Sequence, residues 1–176
     1  VAAEEAVGAG TSPAVGAGAS GVPQVVFLSG GGLWFTARVG EPWMTPVQFG
    51  AGTSVDMAVD ASDVAHVVYL GNTDTTGDSA SYTDLNYTNN TGGVFPASPI
   101  KTWSSWYYYD GWGRSANYYF DFAPIIAVDG VGNYAITYSF RWISGGGSWN
   151  DWGTSVHVYR SAPDVDLSNA DRYKAY

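Results

Sequence analysis

Apolar and polar positions along this chain follow a pattern that recurs. Residues 11–28 read TSPAVGAGASGVPQVVFL, and residues 53–70 read TSVDMAVDASDVAHVVYL. Aligned without a gap, Thr11, Ser12, Ala19, Ser20, Val22, Val25, Val26 and Leu28 match Thr53, Ser54, Ala61, Ser62, Val64, Val67, Val68 and Leu70. A third copy, PIIAVDGVGNYAITY at 124–138, sets Val128, Asp129 and Tyr138 in the places of Val59, Asp60 and Tyr69. The pattern predicts strands. VDMAVD at 55–60 puts Val55, Met57 and Val59 on one face, and AHVVYL at 65–70 is expected to pair with it through a Ser62-Asp63 turn. PQVVFL at 23–28 is a nearly continuous apolar run, the pattern of a strand covered on both faces. LWFTARV at 33–39 follows a glycine turn, and DLNYTNN at 84–90 repeats it, with Leu85, Tyr87 and Thr88 where Leu33, Phe35 and Thr36 stand. VHVYR at 156–160 is the counterpart in the third copy. No helical stripe of useful length appears.

The first two copies lie 42 residues apart and the next is displaced by 69. Self-similarity at this period marks stacked supersecondary units, and four-stranded units of this size are propeller blades. The expected fold is all-β, with blade-like antiparallel repeats forming a partial or oligomer-completed β-propeller; a β-sandwich is the alternative. The expected organisation is a flexible lead-in at 1–10, one repeat domain at 11–162 (repeats at about 11–52, 53–122 and 123–162), and a polar C-terminal tail at 163–176. AVDASDVAHVVYL followed by LNYT, and AVDGVGNYAITY followed by HVYR, resemble blades of sialidase-like and related surface β-propellers. The chain departs from that family in lacking the Asp-box S-x-D-x-G-x-T-W. A sialidase-like reading would imply an arginine triad, a Tyr and a Glu; Arg38, Arg114, Arg141 and Arg160 exist, but no motif ties them together. Propellers ordinarily close with four or more blades. Three blades leave apolar sheet faces uncovered, so self-association, or other chains completing the fold, is expected.

Composition narrows the functional classes. Charged residues are 13% of the chain and aromatics 16%, with 8 Trp and 13 Tyr. Strand formers and glycine dominate, while Glu is limited to Glu4, Glu5 and Glu41. A net charge of −9 repels phosphate backbones and anionic lipid, which argues against nucleic acid as a partner. No apolar run reaches the roughly 20 residues of a membrane-spanning helix. Cysteine is absent, so disulfides and cysteine-ligated metals are excluded. The sparse Lys and Glu, with a polar aromatic surface, point to an extracellular or cell-surface location. Asn86-Tyr87-Thr88 and Asn89-Asn90-Thr91 fit the glycosylation sequon.

Candidate chemistry centres on aromatics. The histidines, His66 and His157, both fall in strand patterns, and no spacing nominates a carboxylate pair among Asp110, Asp121 and Asp151. The chain is therefore read as non-enzymatic, with a glycoside hydrolase as the residual reading. Asn72, Asp74, Asp78 and Asp84 share a glycine-containing loop, and Asp164, Asp166 and Asp171 form a second group. Calcium is the one cofactor they leave open, against turn capping by Asp and Asn. The expected ligand site is a pair of aromatic loops at 103–122 and 142–152. It comprises Trp103, Trp106, Tyr107, Tyr109, Asp110, Trp112, Arg114, Trp149, Asn150, Asp151 and Trp152. Flat rings cover the C–H face of a sugar, and neighbouring polar groups hydrogen-bond its hydroxyls, so glycan or surface-ligand binding is expected. The rival reading is a structural subunit of a filament or surface assembly, with the same aromatics as inter-subunit contacts.

Overall fold

A computed structural model of the chain describes residues 5–71, 83–96, 100–104, 106–109, 115–120, 123–146 and 149–160, with side chains described for 5–71, 83–96, 120 and 123–139. The described residues form antiparallel sheets and contain no α-helix. The first sheet is a meander of β1 (Thr11–Ala17), β2 (Pro23–Ser29), β3 (Gly32–Ala37) and β4 (Val47–Ala51). The second repeats it with β5 (Ser54–Val59), β6 (Ala65–Gly71), β7 (Asp84–Asn89) and β8 (Ile100–Ser104). The third holds β9 (Trp106–Tyr109), β10 (Ser115–Phe120), β11 (Ile125–Val128), β12 (Tyr134–Gly146) and β13 (Trp149–Arg160). There β10 and β11 follow one another along one edge of β12, and β13 covers the other edge for its whole length. Residues 106–109 and 115–120, expected in the second repeat, thus pair within the third sheet.

Register bears out the equivalence of the repeated segments. Ala17 pairs with Pro23, Val59 with Ala65, and Val128 with Tyr134. Leu28 faces Leu33 and Leu70 faces Leu85, while Val26 faces Phe35 and Val68 faces Tyr87. The hairpin turns also correspond. Gly21, Asp63 and Gly132 occupy the same turn position, all with positive φ (71°, 62° and 89°). Asp60 Oδ1 accepts the N–H groups of Ser62 and Val64, and Asp129 Oδ1 those of Val131 and Asn133, all at 2.8–2.9 Å. These are side chains mimicking a backbone turn.

In the first copy glycine replaces that aspartate, because the second turn nests there. A Cβ on Gly18 would lie within 2.5 Å of Asp63 Oδ1 and closer still to the carbonyl oxygen of Asp60. Asp63 Oδ1 instead accepts from Ser20 Oγ at 2.7 Å.

The sheets stack face to face around two cores. One joins Val26, Leu28 and Leu33 of the first sheet to Val55, Met57, Ala65, Val67 and Tyr69 of the second. The other joins Val68, Leu70, Leu85 and Tyr87 of the second sheet to Ile126, Tyr134 and Ile136 of the third. The second sheet lies between, so successive residues of β6 serve opposite cores. This is why AHVVYL is apolar without alternation and buried throughout. Phe95 seals one margin, stacked on Phe49 at 4.3 Å and edge-on to Phe35 at 5.2 Å.

Residues 5–10 are not a free lead-in. Glu5 accepts from Arg38 at 3.1 Å and from Trp43 Nε1 at 3.0 Å, and a Cβ on Gly8 or Gly10 would strike the Phe27 ring. VGAGTS at 7–12 copies FGAGTS at 49–54, the passage from β4 into β5. Gly10 approaches the carbonyl of Leu28 as Gly52 approaches that of Leu70, so the lead-in occupies the place of a strand leaving a preceding sheet.

Candidate functional site

Aromatic and β-branched residues favour extended backbone, and the segments expected as ligand-binding loops are largely strands. Trp103 lies in β8, Trp106, Tyr107 and Tyr109 in β9, and Trp149, Asn150, Asp151 and Trp152 in β13. β12 continues through Gly145 and Gly146, and β13 begins at Trp149. Asp110, Trp112 and Arg114 lie outside the described residues.

Backbone pairing arranges the third sheet in cross-strand rows. Trp106 pairs with Tyr118, Tyr118 with Trp142, and Trp142 with Gly153. In the next row Tyr107, Asn117, Ile143 and Trp152 follow one another, and then Tyr108, Ala116, Ser144 and Asp151. The row of Tyr109, Ser115, Gly145 and Asn150 comes last before Gly146 and Trp149. Residues 36 or more apart in sequence, such as Trp106 and Trp142, thereby stand two strands apart in one row. Trp103 stands apart, paired with Leu85 in the second sheet. Trp142, which shares a row with Trp106 and Tyr118, was not among the expected site residues.

A buried polar chain lies under the second turn. Asn89 Nδ2 donates to Tyr87 Oη at 3.2 Å, Tyr87 Oη contacts His66 Nδ1 at 2.7 Å, and His66 Nε2 contacts Asp60 Oδ2 at 3.3 Å. Burial acts to raise the Asp60 carboxyl pKa, but hydrogen bonds from Val64, His66 and Ser62 outweigh it and hold it below the usual value. Burial pushes the Tyr87 hydroxyl up. Tyr134 stacks on Tyr87 at 4.1 Å, and Gly132 closes over Asp60 and His66. With both ring nitrogens engaged and 5% exposure, His66 ties a hairpin turn to its sheet. His157 pairs with Tyr138 on β13.

Three other expectations meet the structure. Asn86 is fully buried and its Nδ2 donates to the Asp84 carbonyl, so that sequon presents no accessible amide once folded. Asn89 is half-buried, with Nδ2 and Oδ1 engaged by Tyr87 and by the N–H of Thr91. Asp84 is buried in β7, while Asn72, Asp74, Asp78, Asp164, Asp166 and Asp171 lie outside the described residues. A shallow open cavity of about 720 Å³ lies beside the lead-in, walled by Trp43, Met44 and two prolines. Arg38 bridges Glu5 and Glu41 there.

Compared with models of known protein families, with curated proteins and with solved structures, the chain has no match.

Proposed function

We propose that the chain is a non-enzymatic extracellular module that recognises glycans or similar surface ligands. Aromatic residues of β9, β10, β12 and β13 are its recognition surface. One arrangement carries this reading: the register that aligns Trp106, Tyr118 and Trp142 in a row, with Tyr108, Ala116, Ser144 and Asp151 forming the next row on the same face of the sheet. Rings at strand spacing suit a saccharide, whose successive units need flat apolar platforms flanked by hydrogen-bonding groups. Tyr108, Ser144 and Asp151 occupy the adjoining positions of that face. The net charge of −9 favours neutral or cationic ligands over anionic ones.

The fold that accompanies this reading is a partial propeller with three blades, supported by the side-by-side packing of β1 with β5 and β5 with β11. A glycan array tests the binding. Binding to at least one neutral glycan is expected, with affinity falling about tenfold or more in Trp142→Ala and Trp106→Ala, as for aromatic anchors at interfaces. Silence across the array, or binding indifferent to both substitutions and to Trp112→Ala, removes the proposal. Turnover of fluorogenic glycosides would instead favour the hydrolase reading.

A further inference from the structure

The leading strands of the three sheets use alternate residues to face their neighbours. On the side of the preceding sheet stand Met57 in β5 and Ile126 in β11, 6% and 5% exposed. The equivalent in β1 is Val15, which pairs with Val25 as Met57 pairs with Val67, and it is 70% exposed. On the side of the following sheet, Ala14 and Gly16 of β1 meet the second sheet, Gly16 approaching Val59 closely. Asp56 and Ala58 of β5 meet the third, where Asp56 Oδ2 accepts the N–H of Ile126 at 2.9 Å. The equivalents in β11 are Ile125, 61% exposed, and Ala127, also exposed. The stack therefore ends in two bare apolar positions, and they are the two that meet at each internal junction.

We infer that the two ends dock on each other between copies, Ile125 of one chain packing beside Val15 of the next, as successive sheets pack within the chain. A second copy is the occupant because it carries both halves of a junction that this sequence already forms twice. The lead-in supports the assignment. By laying Gly8 and Gly10 over Phe27, it supplies the departing strand that Gly52 supplies beside Tyr69. Such a contact is head-to-tail, so it closes a ring or extends a filament according to its rotation. It is independent of the ligand-binding reading.

Sedimentation velocity over a wide range of concentration tests the inference. Concentration-dependent association is expected, weakened about tenfold or more by Val15→Lys and equally by Ile125→Lys, because each would bury an unpaired ammonium. Both sites are exposed in the single chain, so near-ultraviolet circular dichroism should be unchanged. Mixing the two variants is the decisive arm, since each keeps one intact end and only head-to-tail docking restores a dimer. A chain monomeric at every concentration, association indifferent to both substitutions, or a mixture no better than either variant alone would each overturn it.

Discussion

At the scale of single residues, the turns hold the most sequence-specific chemistry. Gly18 is fixed by the backbone and carboxylate of the next turn, whereas Gly130 would place its Cβ 3.7 Å from Ala61, in ordinary contact. Gly18→Ala should therefore cost about 1–3 kcal/mol in denaturant titrations, and Gly130→Ala should stay near neutral. Asp60 brings a pH dependence. Its folded pKa lies below the unfolded 3.8, so its contribution is present above that value and is lost as pH falls from there through the folded value. Acid unfolding should show this loss, and Asp60→Asn should flatten it. Tyr69 acts at the other extreme. Burial pushes its hydroxyl up to about 12 from 10.0, so its contribution holds below pH 10 and is lost as pH rises toward 12. Tyr69→Phe should reduce that alkaline loss, read by thermal melts across the range.

Among the elements, β6 shows how far pattern alone can lead. Its unbroken apolar run implies cover on both faces, and the two cores on either side of it fulfil this. Leu85 and Ile136 are fully buried on opposite sides of the second core. Leu85→Ala and Ile136→Ala should each destabilise by about 2–5 kcal/mol in chemical denaturation, through lost burial and the cavity left behind. The strands β9, β10 and the outer parts of β12 and β13 were less legible. Runs such as WYYY and GGGSWNDWG carry loop punctuation and strand-forming rings together, and glycine argued for turns where β12 in fact continues. Local signals conflict there, and pairing with a long neighbour decides the outcome.

For the whole molecule, the consequence is an open series. The second sheet buries a face against each neighbour, the first and third sheets each join one core, and Val15 and Ile125 stand bare among the described residues. The polar chain from Asn89 to Asp60 has the same dependence on neighbours. His66 sits in a plain strand pattern, and only the stacking of Tyr134 and Gly132 from the third sheet turns its surroundings into a closed polar site.

The sequence by itself determined the strand class, the hairpin register and the equivalence of the repeated units. Those follow from period-two burial and from turn residues such as Asp60 and Asp129, whose bonds are local. Only the tertiary structure decided which sheet claims residues 106–109 and 115–120, that the lead-in lies over Phe27, and which aromatic residues share a row. These depend on pairings between distant segments, and a strand's own composition does not specify its partner.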